Sequence, residues 1–128
     1  MILDTSVIVA IACREPGYEE LVVHLESADT LAVGAPTVVE SGIVLESRLG
    51  TNGRSLLERF LTDFDVTVVD FGELHWREAI DAYRRFGKGR HSAALNFGDC
   101  LSYAVASVAE EPLLFVGDDF RSTDIVPA

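Results

Sequence analysis

Short apolar runs bounded by turn residues alternate along the chain with longer stretches whose apolar positions recur every three or four residues. The first run, Met1-Ile2-Leu3, stops at Asp4, and a helical pattern then continues from Ser6 to about Arg14, where Glu15-Pro16-Gly17 breaks it. Leu21, Val22 and Leu25 predict a second helix over Tyr18–Ala28, with Glu19, Glu20 and Glu26 turned to water. Leu31-Ala32-Val33 is a brief strand, after which Pro36 starts a third helix that Gly50 stops beyond Leu49. Leu56, Leu57, Phe60, Leu61 and Phe64 stripe a fourth helix, and the β-branched Val66-Thr67-Val68-Val69 makes the next strand. A fifth helix over Glu73–Phe86 is expected to bury Trp76, Ala79, Ile80 and Tyr83. Asn96, with Asp99 three positions on, caps a sixth helix whose buried face is Leu101, Ala104, Val105 and Val108. Leu113-Leu114-Phe115-Val116 is apolar throughout, which predicts a central strand covered on both faces. Asp124-Ile125-Val126 is expected to add an edge strand.

Strands at about 1–4, 31–33, 66–69 and 113–116 alternating with helices predict an α/β fold: a short, mostly parallel sheet between two helical layers. The length suits one domain over residues 1–128, with no linker. No apolar run approaches the roughly 20 residues of a membrane span. The N-terminus has an acid at position 4 and no basic region before its apolar run, which predicts no secretory signal and a cytoplasmic protein. Cys13 and Cys100 lie in apolar helical patterns and read as buried free thiols.

A net charge of −11 removes general attraction to nucleic acid or to an anionic membrane, so a polyanionic substrate would have to be held locally. The single lysine, Lys88, is followed by Gly89 and not by Ser or Thr, which excludes a phosphate loop of the G-x-x-x-x-G-K-[ST] kind. No G-x-G-x-x-G opens a helix. His24, His75 and His91 have no metal-ligand spacing, which argues against zinc.

The acids are more informative. Parallel strands bring their carboxyl ends to one edge, where open α/β sheets collect ligands. Asp4 and the Asp118-Asp119 pair follow strands at that edge, and Glu40 and Asp99 lie in the first turns of helices that begin beside it. Each has a structural explanation alone: Asp4 as a turn or cap, Glu40 as a complement to the helix dipole, Asp99 in a capping box. Together they would repel one another and titrate upward unless a hard oxygen-seeking cation, Mg²⁺ or Mn²⁺, joined them. Arg84, Arg85, Lys88 and Arg90 fall within seven positions of this acidic chain. They read either as a solvated helix end or as a loop that contacts phosphates.

The opening Leu3-Asp4-Thr5-Ser6, the Pro36-Thr37-Val38-Val39-Glu40 helix start, Leu95-Asn96-Phe97-Gly98-Asp99-Cys100-Leu101-Ser102-Tyr103 and Leu113-Leu114-Phe115-Val116-Gly117-Asp118-Asp119-Phe120 resemble the PIN-domain ribonucleases of VapC toxins. The likeness spans the chain, and the order and spacing of the motifs make it specific. It implies a three-layer α/β/α PIN-like fold and metal-dependent hydrolysis of RNA phosphodiester bonds. The implied acidic metal site is Asp4, Glu40, Asp99 and one of Asp118 or Asp119, with Thr5, Ser6 and Asn96 orienting the acids. The form of the last motif favours Asp119, whereas Asp118 lies nearer the strand end; neighbours in extended chain point to opposite sides, so only one is expected to serve. A VapB-like antitoxin partner and a homodimer are implied as well. A haloacid-dehalogenase-like phosphatase would need a second acid two residues after Asp4, where Ser6 stands. A non-catalytic PIN-like binding module would not need all the acids.

Overall fold

Ile2 and Leu3, the two residues of β1 (Ile2–Leu3), face opposite sides of the sheet, and the two cores of the molecule divide between them. The computed structural model describes residues 1–128. Around β1, the chain forms α1 (Thr5–Ala12), α2 (Tyr18–Glu26), β2 (Leu31–Gly34), α3 (Ala35–Leu49), α4 (Asn52–Asp63), β3 (Val66–Val69), α5 (Glu73–Phe86), α6 (Phe97–Ala109) and β4 (Leu113–Leu114). The strands lie in the order β3-β2-β1-β4, and every pairing is parallel. On one face Leu3, Leu31, Val33, Val66 and Leu114 pack with residues of α1 to α4, among them Ile8, Leu25, Leu45 and Phe60. On the other, Ile2 and Leu113 pack with Ala79, Ala82 and Phe86 of α5 and Tyr103, Ala104 and Val105 of α6. The α/β/α layering follows from this alternation: each strand residue covers the face opposite its neighbour's. No helix is long and apolar enough to cross a membrane.

Three expectations change. Of the run Leu113–Val116 only Leu113-Leu114 is strand and buried, Val116 being exposed, and β4 stands at the sheet edge while β1 lies inside it. The residues that cover β4 come from the chain end: the Leu113 amide donates to the Val126 carbonyl and the Ala128 amide to the Leu113 carbonyl, each at 2.9 Å. Apolar continuity reports burial for Leu113-Leu114 alone, and there the C-terminal segment supplies it without a further strand. Residues 124–126 form no strand, and the pairing is a single bridge between Leu113 and Pro127. Proline has no amide to continue a ladder, and Asp124 is drawn instead to Tyr103 and Arg85.

The third change concerns α5. Its buried side is Ala79, Ala82 and Phe86, whereas Trp76, Ile80 and Tyr83 are about half exposed. Both sets have helical spacing, so periodicity alone does not choose between them. The small alanines let α5 approach α6 closely, which turns the larger residues outward.

Candidate functional site

Asp4 leaves β1 and caps α1 with its Oδ2, which accepts from the Ser6 amide at 3.0 Å and the Ser6 hydroxyl at 2.6 Å. The Ser6 Oγ in turn accepts from the Val116 amide at 3.0 Å, tying the end of β1 to the chain beyond β4. The other oxygen, Oδ1, accepts from the Ser102 hydroxyl of α6 at 2.6 Å. Capping alone needs one oxygen at an exposed helix end. Asp4 is instead 5% exposed and has donors on both oxygens, as a buried carboxylate requires. Beside it in the chain, Thr5 Oγ1 is buried without a hydrogen-bond partner.

Glu40 and Asp99 meet at the start of α6. Asn96 and Asp99 form the expected capping box: the Asp99 amide donates to Asn96 Oδ1 and the Asn96 amide to Asp99 Oδ2, both at 2.9 Å. Glu40 crosses from α3 into the space above Gly98, so that a Cβ built on Gly98 would lie 2.0 Å from Glu40 Oε2. Burial pushes Asp99 up to about 6; the Asn96 amide opposes the rise, and the charges of Asp4, Asp119 and Glu40 add to it. Four acids from separate parts of the chain therefore share one electrostatic environment.

Asp119, not Asp118, stands among the charges that weigh most on Asp99. Both side chains are exposed, and Asp118 ion-pairs with Arg121 at 3.0 Å. Gly117, at φ +101°, turns the chain, and Phe120 packs inward against Phe115 with ring centroids 5.0 Å apart. No three His, Cys, Asp or Glu side chains converge as a ready-made cage for an ion. The donor set nevertheless fits Mg²⁺, which keeps several waters and is held through one or two carboxylates with substrate phosphates. All the donors are oxygens, and their mutual repulsion is what a cation relieves.

The remaining chemistry-bearing groups are engaged elsewhere. Burial and the Asp99 charge push the Cys100 thiol up to about 11, away from nucleophilic use. His75 Nδ1 accepts from the Gly72 amide and His91 Nδ1 from the Ala93 amide, each at 3.0 Å, on separate parts of the surface. A large hollow lined by Leu113, Phe115, Phe120, Ile125 and Pro127 contains none of the four acids.

The basic segment divides. Arg85 is committed inside the chain, to Asp124 and to the Tyr103 hydroxyl at 3.4 Å. Tyr103 also donates to Asp124 at 2.5 Å, so the three side chains fasten the C-terminal segment to α5 and α6. Arg84 reaches Asp81 at 3.6 Å. Lys88 belongs to the loop after α5, and Arg90 lies over the Tyr83 ring at 5.3 Å. That loop runs directly into Asn96 and Asp99. Sequence patterning singled out neither Ser102 nor Gly98 as a site residue.

A family model described as PIN domain matches residues 1–126. Ribonuclease VapC36 of Mycobacterium tuberculosis is 44% identical over 126 residues, covering 98% of this chain and 91% of that protein. Ribonuclease VapC of Mycolicibacterium smegmatis is 42% identical over 125 residues, covering 98% and 97%. Among solved structures, Mycobacterium tuberculosis VapC20, a sarcin-ricin loop cleaving toxin, has a TM-score of 0.81 at 16% identity and covers 99% of this chain and 97% of its own. VapBC2 from Rickettsia felis, bound to a DNA fragment from its promoter, has a TM-score of 0.76 at 16% identity, covering 98% and 94%. At such identities the structural likeness speaks for the fold.

Proposed function

Because this chain belongs to the PIN-domain family, and within it to the VapC ribonucleases, we propose that it hydrolyses RNA phosphodiester bonds as the cytoplasmic toxin of a VapBC pair, with a divalent cation held by Asp4, Glu40, Asp99 and Asp119. One observation carries the site assignment: the Glu40 carboxylate lies against Gly98, beside Asp99, while Ser102, one turn further along the same helix, donates to Asp4. Bound there, Mg²⁺ or Mn²⁺ supplies Lewis acidity and offsets charge on the phosphoryl oxygens.

The protein's own part is to hold the acids still. Ser6 and Ser102 fix Asp4 from both sides, and the capping box fixes Asn96 against Asp99. Thr5 contributes a buried hydroxyl with no protein acceptor. Asp119 is taken as the fourth acid because Asp118 faces Arg121. Exposed apolar residues supply faces for the proposed VapB-like antitoxin and a second copy: Val39 and Ile43 on α3, and Ile80, Tyr83 and Phe97 along α5 and α6.

A cleavage assay on a short single-stranded RNA tests the reading. The purified chain is expected to cut RNA, to stop in EDTA, and to resume on addition of Mg²⁺ or Mn²⁺. In the same assay Asp119→Asn should lose far more rate than Asp118→Asn. Full activity in chelator would remove the cation from the reaction, and the reverse order of the two variants would reassign the fourth acid.

Lys88 and Arg90, with Arg84 beside them, are the residues we assign to RNA phosphates. Replacing Lys88 and Arg90 by Ala should weaken RNA binding and flatten its salt dependence by about 0.7 in log–log slope for each phosphate no longer neutralised. Arg85→Ala should act instead on the melting temperature, because it removes one of the two side chains that hold Asp124. An unchanged salt slope in the double variant would return this segment to the role of a solvated helix end.

A further inference from the structure

Beneath the acids lies a pair of hydroxyls that capping and packing do not account for. Ser102 is 1% exposed and Thr37 2%, and their oxygens are 3.3 Å apart across the boundary between α6 and α3. Ser102 also donates to Asp4 Oδ1 at 2.6 Å. An ionised carboxylate only accepts, and a serine hydroxyl has one hydrogen, so the hydrogen of Ser102 belongs to Asp4 and Thr37 must be the donor to Ser102. The chain of bonds therefore runs Thr37 to Ser102 to Asp4. Ser41 donates to the Thr37 carbonyl at 2.8 Å, tying down the same turn of α3.

Sequence spacing gives this chain of bonds its meaning. Thr37 stands three residues before Glu40 on α3, and Ser102 three residues after Asp99 on α6. Each hydroxyl is thus one helical turn from an acid, on the same side of its helix. Tyr103, Ala104, Val105 and Ala106, which follow Ser102 on α6, are all buried. An alanine at 102 would suit that surrounding, and a buried hydroxyl is costly without its bonds.

We propose that Thr37 and Ser102 form a buried hydroxyl relay that sets Asp4 in register with Glu40 and Asp99, which makes both of them positioning residues of the site. The inference rests on the ribonuclease reading above, and its readouts separate the two. Mn²⁺ is titrated into the metal-free full chain, with free Mn²⁺ followed by electron paramagnetic resonance. Steady-state RNA cleavage and a thermal melt accompany each titration. Ser102→Ala is expected to weaken Mn²⁺ binding and lower kcat by about 10–100-fold, with KM for RNA unchanged. Thr37→Val should move both quantities the same way by a smaller factor, because Ser102 keeps its bond to Asp4 but loses the donor that orients it. Thr37→Ser should restore them.

Wild-type Mn²⁺ affinity and kcat in a folded Ser102→Ala protein would overturn the relay. So would a Thr37→Ser protein as impaired as Thr37→Val, which would assign the effect to packing. Should Ser102→Ala fail to fold, the two Thr37 variants decide. A wild-type chain that binds Mn²⁺ without cutting RNA overturns the ribonuclease reading, while the Mn²⁺ affinities of the variants still decide the relay.

Discussion

Asp99→Asn is expected to abolish RNA cleavage and, in the metal-free protein at neutral pH, to raise the melting temperature. The loss of activity follows from removing an acid assigned to the cation, whose transition-state contribution of several kcal/mol corresponds to a rate loss on the order of 10³-fold. The gain in stability follows from burial and from the charges of Asp4, Asp119 and Glu40, which push Asp99 from 3.8 to about 6. A folded-state value above the unfolded one means that the native protein binds the extra proton. Wild-type stability therefore falls as pH rises from about 4 through about 6, and the penalty is complete above that window. For a fully desolvated group the shift would be worth about 3 kcal/mol, and solvent screening at this half-buried carboxylate reduces it to about 1–2 kcal/mol. Loss of an acid from the first turn of α6 returns about 0.3–1 kcal/mol of that. Asn can still accept from the Asn96 amide, so the cap remains.

Melts across pH 4 to 8 check both halves of this expectation. The variant and the wild type should coincide near pH 4 and separate by a few degrees at pH 7.5. Saturating Mg²⁺ should narrow or reverse the gap, because only the wild type gains the binding free energy of the cation. An active Asp99→Asn protein would sink the nuclease assignment. A gap of the same size at pH 4 and pH 8 would remove charge repulsion as its cause.

Local chemistry was legible in the sequence wherever neighbours in the chain decide the outcome. The Asn96–Asp99 capping box, the break at Glu15-Pro16-Gly17 and the stop at Gly50 depend on residues a few positions apart. The candidate acids were legible for a related reason: parallel strands send their ends to one edge, and Asp4 and Asp119 follow strands. Choices between equivalent long-range partners were not legible. Apolar continuity in Leu113-Leu114 gave burial but not position, since a C-terminal segment covers β4 as well as a strand would. Two stripes on α5 had the same period, and the close approach of alanines to α6 chose between them. Arg85 looked like its basic neighbours until the fold brought Asp124 to it from 39 residues away. Ser102 and Gly98 gained their meaning only from side chains on other elements.

Gly98 shows how large such a hidden dependence becomes. Gly98→Ala is expected to cost activity on the order of 10²-fold while the fold keeps its stability. The added Cβ would stand 2.0 Å from Glu40 Oε2, 2.7 Å from its Cδ and 2.9 Å from Oε1, so carboxylate and methyl cannot share the space. What yields is the far end of a flexible side chain, not backbone, and Glu40 rotates away at little cost in packing. Alanine is also the better helix former by up to about 1 kcal/mol, which offsets any strain at the first turn of α6. The substitution thus withdraws Glu40 from the other acids without altering Glu40 itself. Glu40→Ala alone should lose a similar rate, and adding Gly98→Ala to it should change little, because the methyl then has nothing to displace. Mn²⁺ affinity should follow the same non-additive pattern. Full activity in Gly98→Ala, or losses that multiply in the double variant, would show that Glu40 does not work from the place where Gly98 admits it.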